Sequence, residues 1–190
     1  MGRPKLFLPF GPETMLQRVV RILREVVSPI VVIAAPGQKL PTLPDEVLVA
    51  RDEQKDLGPL GGLAVGLSVL RSEVTAAYAS SCDAPLLKPA FVRQIIDVLG
   101  DHDMAIPRDG KYHHPLAAVY RTRLEDNVRA LIEEDRLRPL FLVEQCDCQV
   151  IDVDELRAVD SELSSLQNAN TPEAYQAALK EAGFSPSGIH

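Results

Sequence analysis

The sequence predicts an α/β fold with a mostly parallel sheet. Three observations predict it. Short, continuously apolar, β-branched runs alternate with longer segments whose apolar residues recur at helical spacing. The glycines and acidic residues gather in the turns that follow the apolar runs, where such sheets bind their ligands. The chain has 190 residues, 46% of them apolar and 25% charged, enough for one domain, 1–190, around a real core.

The elements follow in order. From Thr14 to Val27 the residues Leu16, Val19, Val20, Leu23, Val26 and Val27 fall on one helical face, with Gln17, Arg18, Arg21 and Arg24 opposite. PIVVIAA (29–35) reads as a buried strand, and EVLVA (46–50) is a second strand candidate. Residues 61–71 read as a helix entered through Gly61 and Gly62. AAYASS (76–81) is a strand ending in CDAPLL, and Pro89 opens a helix to about Leu99. MAIP (104–107), PLAAVYR (115–121) and CQVIDV (148–153) are further strands, with a helix from Leu124 to Glu134. Residues 172–182 close the pattern as a helix with Thr171 at the N-cap.

Charge and cysteine content exclude several classes. Twenty basic against 27 acidic residues leave a net charge of −7, where a nucleic-acid binder needs a basic face. Three cysteines make no disulfide framework, which fits a reducing cytoplasm. No apolar run approaches a membrane span, and the basic N-terminus lacks the apolar stretch and cleavage site of a signal peptide. No nucleic acid or membrane is therefore expected as a partner.

Several stretches could carry chemistry. Lys5 sits in MGRPK, beside turn residues and just ahead of a helix, a common way to hold phosphate. Asp83 falls just past a strand, where a carboxylate can share Mg²⁺ with phosphate oxygens; the competing reading is a turn cap. Gly58, Gly61 and Gly62 in DLGPLGGL let backbone approach a ligand ahead of free helix N–H groups, or simply pack a turn. His113 and His114 are either substrate contacts or structural residues. Asn168 and Asn170 are either ligands or helix-entry residues. Cys146 and Cys148, with Cys82 far away, do not match a zinc site.

The order of these segments resembles one family. The lysine segment, the helix starting TMLQRV, VVIAA, RDEQKDLGPLGGLxxGL, CDAPLL, HHPLAAVYR and NANTPEAY together resemble the molybdenum cofactor guanylyltransferases, over roughly Met1 to Tyr175. The resemblance implies a three-layer, Rossmann-like nucleotidyltransferase fold. It implies GTP and molybdopterin as substrates, Mg²⁺ as cofactor, and cofactor-handling proteins as partners. Lys5 corresponds to a phosphate ligand and Asp83 to the residue holding metal and nucleotide. Asp52 corresponds to a residue near the guanosine, and Gly58, Pro59 and Leu60 to the nucleotide-side turn. His114, Asn168 and Asn170 are assigned to the acceptor side. Ala34 stands where the family often has a polar residue.

The family begins with an apolar strand and a loop of the form LAGGxSxRMG; MGRPK matches only its last part. The first strand and its two glycines are missing. We expect translation to begin upstream, with natural deletion as the alternative, and expect little GTP turnover without the glycine loop. Alternative readings are a related transferase using CTP or a sugar or lactyl phosphate acceptor, and a non-catalytic paralogue that binds a cofactor-handling partner.

Overall fold

A computed structural model describes residues 4–52 and 57–185. The MGR of the opening segment and residues 53–56 of the predicted nucleotide loop lie outside the described residues. No described helix is long and apolar enough to cross a membrane.

A 3₁₀ turn, Lys5–Phe7, opens the described chain. β1 (Pro9–Phe10) and β2 (Glu13–Thr14) form a small hairpin that delivers the chain to α1 (Met15–Arg24). The start of α1 is fixed by a capping box: Thr14 Oγ1 accepts from Gln17 N, and Gln17 Oε1 accepts from Thr14 N. β3 (Val31–Ala34) pairs in parallel with β4 (Leu48–Arg51). Next come α2 (Gly58–Leu70), β5 (Ala76–Ser80) and α3 (Pro89–Val98). β6 (Met104–Asp109) pairs antiparallel with both β7 (Tyr112–His113) and β8 (Ala117–Arg121). The chain ends with α4 (Glu125–Glu133), α5 (Leu140–Gln145), β9 (Cys148–Asp152), α6 (Val153–Leu156) and α7 (Pro172–Glu181).

Three layers follow from the period-two alternation of the strands. On one face Ala105, Ala117, Val119 and Ile151 pack against α1 and α3 residues such as Val19, Leu23, Phe91 and Ile95. On the other face Met104, Ile106, Ala118 and Tyr120 pack against Leu60 and Leu67 of α2 and Val128 and Leu131 of α4. One residue's shift along any strand would exchange these two sets.

The α/β layering is as expected, and the sheet direction is mixed. β3–β4 and β6–β9 are parallel, whereas β5–β8, β8–β6 and β6–β7 are antiparallel. The cause lies in the connection from β6 to β8: it spans only residues 110–116, too few for the crossover that parallel strands need. The hairpin at 9–14 and the short helices α5 and α6 were not expected. α2 begins at Gly58, so the glycines expected to precede this helix form its first turn.

The strands form two separate large groups. β3 and β4 make one; β5, β8, β6, β7 and β9 make the other, and among the described residues no ladder joins β3 to β5.

Candidate active site

Three segments far apart in sequence converge where β5 ends. The first is the 3₁₀ turn. Phe7 N donates to Pro4 O at 3.0 Å and Leu8 N to Lys5 O at 2.9 Å. Leu6 and Leu8 are buried on either side of the turn, so Phe7 and Lys5 take its outer positions. Lys5 Nζ then donates to Asp83 Oδ2 at 3.1 Å and to Asn170 Oδ1.

The second segment is Ser81–Cys82–Asp83, directly after β5. The carboxylate is held from both sides, Oδ1 by the Ser81 hydroxyl and Oδ2 by Lys5. The turn-cap reading fails on chemistry: the N–H two residues on belongs to Pro85, which has none. Arg18 of α1 fixes the following turn instead, donating from Nε to Pro85 O at 2.6 Å while its guanidinium lies 4.8 Å from the Phe10 ring centre. The third segment is tied to the second through backbone, since Ala169 N donates to Asp83 O at 2.8 Å. Asn168 O accepts from Asn170 N at 2.9 Å, a tight bend that presents Asn170 to Lys5 while Asn168 stays exposed.

The Asp83 side chain is 11% exposed and that of Lys5 38%. The carboxylate is thus anchored and the ammonium open to solvent. An ammonium has three donors, and Asp83 and Asn170 engage two of them. The third is available to an anion.

The remaining predicted residues distribute around this centre. Gly58 opens α2 with φ +58°, and the helix start carries no side-chain cap. Its first-turn N–H groups therefore remain for water or a ligand, except at Pro59. Leu60 is fully buried among the α2–α4 core residues, so its backbone alone can face a ligand. Asp52 lies at the carboxyl end of β4, its N–H donating to Ala34 O at 3.0 Å. It lines a cavity of about 270 Å³ with Arg51, Gly61 and Arg129, separate from the Lys5–Asp83 pair. Gly61 is required beside it: a Cβ there would lie 2.4 Å from Asp52 Oδ2. His114 is half-buried before β8, its N–H donating to Pro107 O at 2.9 Å, and makes no hydrogen bond to Lys5, Asp83 or Asn170. Burial holds its imidazole below the usual range against the opposing pull of Asp109.

Cysteine chemistry finds no support. Burial and then the Asp83 charge push the Cys82 thiol up. Burial, Cys146 and Asp147 push Cys148 up to about 11. Among the described residues no three His, Cys, Asp or Glu side chains gather for a metal. The donor set at Asp83 fits Mg²⁺ only in the mode where phosphate oxygens and water complete the shell around one carboxylate.

Two residues were missed by sequence reasoning. Ser81 carried a usable signal, since residues two apart in extended chain face the same side. Arg18 carried none beyond its place on the polar face of α1.

Comparison with known proteins bears on this arrangement. Residues 1–149 match the family model described as MobA-like NTP transferase domain. A probable molybdenum cofactor guanylyltransferase of Mycobacterium tuberculosis is 36% identical over 185 residues, covering 95% of this chain and 87% of that protein. Its counterpart from Mycobacterium marinum is 36% identical over 179 residues, covering 90% and 83%. Among solved structures, molybdopterin-guanine dinucleotide biosynthesis protein A from Archaeoglobus fulgidus superposes with a TM-score of 0.75 at 21% identity, covering 96% of this chain and 92% of that one. The 2-C-methyl-D-erythritol 4-phosphate cytidylyltransferase of Thermus thermophilus superposes with a TM-score of 0.72 at 13% identity, covering 95% and 94%. At such identities the two structures establish a common fold.

Proposed function

Because this chain belongs to the family of MobA-like NTP transferase domains, we propose that it joins the GMP part of GTP to the phosphate of molybdopterin, with Mg²⁺ bound. It is an enzyme of the molybdenum cofactor guanylyltransferase type. The observation that carries the finer reading is the meeting of Lys5, Asp83 and Asn170 at the end of β5.

In the proposed reaction a phosphate oxygen of the acceptor attacks the α-phosphorus of GTP. The bond from the α-phosphorus to its bridging oxygen breaks, and pyrophosphate leaves with the electron pair. Phosphate oxygens are ionised near neutral pH, so the barrier is charge repulsion and alignment rather than proton removal. Lys5 directs its remaining donor at the phosphates and neutralises part of their charge. Asn170 and Asp83 hold that ammonium in place. The free N–H groups at the start of α2 orient further oxygens. Mg²⁺, when bound through Asp83, supplies further neutralisation of the phosphate oxygens. Asp52 serves the nucleoside, and His114 and Asn168 stand on the acceptor side.

Nucleotide-dependent melting tests this reading. With Mg²⁺ present and GTP at about one hundred times its Kd, linkage adds about 2.7 kcal/mol, which for a chain of this size raises Tm by roughly 5–10 °C. CTP is expected to give no comparable shift. A shift with CTP alone moves the assignment to a cytidylyl donor, and none with any nucleoside triphosphate points to a non-catalytic binding role.

A further inference from the structure

The loop from Asp160 to Asn170 carries a buried charge that the proposed reaction does not use. The Asp160 side chain is fully buried, yet both of its oxygens are engaged. Lys88 Nζ lies 2.7 Å from Oδ1, and Ser165 N donates to Oδ2 at 2.8 Å. Lys88 N in turn donates to Ser165 Oγ at 3.0 Å, so the three residues close a ring. Ser165 is buried as well. Burial pushes the Asp160 carboxyl up, but the Lys88 ion pair and the Ser165 bonds outweigh it and hold the group below its usual range.

The ring lies close to the site along the chain. Residues 83–88 run beside 160–169, and two rungs join them. One is the bond from Ala169 N to Asp83 O at 2.8 Å; the other is the ring at Lys88. The first rung ends on the bend that presents Asn170 to Lys5. The turn between the rungs is itself fixed: Leu87 N donates to Ala84 O at 3.2 Å, and Arg18 Nε holds Pro85 O. The register of the ring is therefore passed on to Asp83 and to the bend.

Two observations argue for placement rather than stability. A buried ion pair returns little net stability, because desolvation offsets the attraction, and its best-attested use is to fix one register among several. An apolar contact tolerates sliding; this ring does not, since a shift leaves a buried carboxylate without partners. Leu163, inside the loop, also takes a left-handed backbone with φ +51°, which a bulky side chain adopts only where its surroundings force it. Its N–H donates to Asp160 O at 2.9 Å, so the strained residue is bonded to the ring.

We propose that Asp160 is a positioning residue for the transfer reaction: through Lys88 and Ser165 it sets the Asn168–Asn170 bend against Asp83, and so the direction in which Lys5 points. The link to catalysis rests on the guanylyl-transfer reading above; the placement of the bend does not.

The test uses two variants. In Asp160→Asn one oxygen still accepts from Ser165 N, while the charge facing Lys88 is gone. Ser165→Ala frees Lys88 N instead. Amide hydrogen exchange is read first, without nucleotide. Both variants are expected to speed exchange at Ala169 by about 10-fold with the β8 amides unchanged. Equal acceleration at Ala169 and β8 is a loss of global stability and overturns the proposal, as does unchanged exchange at Ala169. Should Asp160→Asn fail to fold, Ser165→Ala decides by the same criterion. Pyrophosphate release is then followed well below the Tm of each variant. Asp160→Asn is expected to lower kcat about 10-fold, since small misplacements are costly in rate. KM for GTP is expected to hold, because the Lys5 charge remains. Added to Asn170→Ala, Asp160→Asn is expected to lower kcat no further. Losses that multiply, or a loss confined to KM, overturn the route through Asn170. A wild type without turnover counts against the proposed reaction alone, and the exchange comparison still decides the placement.

Discussion

Lys5 and Asp83 are 78 residues apart in sequence and form one unit in space. Replacing Lys5 by Met is expected to lower guanylyl transfer by on the order of 10²-fold, measured as pyrophosphate release, because it removes the charge facing the phosphates. Tm is expected to stay nearly constant, since ion pairs with one exposed partner contribute about 0–1 kcal/mol. Asp83→Asn is expected to fold and to lose a comparable factor, with the Mg²⁺ requirement weakened; near-normal turnover would refute the metal role. Gly61→Ala behaves differently. Its new Cβ meets Asp52 Oδ2 at 2.4 Å and Leu57 Cβ at 2.9 Å, overpacking that costs about 1–3 kcal/mol and lowers Tm by roughly 2–10 °C. Lys5 and Asp83 were legible because each stands at a turn beside an apolar run. The bond from Lys5 to Asn170 was not, because nothing local to either residue encodes a partner 165 positions away.

At the scale of elements, α2 and α4 are tied by a charge cluster at their solvent edge. Glu125 is buried at the start of α4 and accepts from Arg129 Nε at 2.7 Å and Arg71 Nη1 at 3.2 Å. Burial raises its pKa, but hydrogen bonds from Arg129, Ser68 and Arg71 outweigh that and hold it below 4.5. Because the native value is depressed, the carboxylate stabilises the fold above about pH 4.5, and this is lost as pH falls through the native value. Glu125→Gln should therefore melt below wild type at pH 7, and the gap should close on acidification below pH 4.5. A gap independent of pH would assign the loss to packing. Most elements were legible from periodicity. Strand direction was not: it depends on the short link between β6 and β8, whose seven residues look from sequence like any other turn. The start of α2 could have been placed better, since Pro59 suits a first helical turn.

For the whole molecule, the layered α/β architecture was legible because each strand alternates between two helix layers. The joining of the two ends of the chain was not. α7 packs on the β1–β2 hairpin: the Phe10 ring meets Tyr175 edge-on at 6.4 Å and Phe184 at 5.6 Å, and the Tyr175 hydroxyl reaches Pro9 O. Phe10 is fully buried, so Phe10→Ala is expected to cost about 3–5 kcal/mol in chemical denaturation. It should also weaken GTP affinity, because the hairpin follows Lys5 directly. Unchanged affinity at reduced stability would separate the hairpin from the site.

The clasp between α7 and the hairpin has a consequence for how the protein can be cut. A protease nick that releases α7 would disarm Lys5 while leaving every sheet ladder intact, so loss of catalysis would precede unfolding.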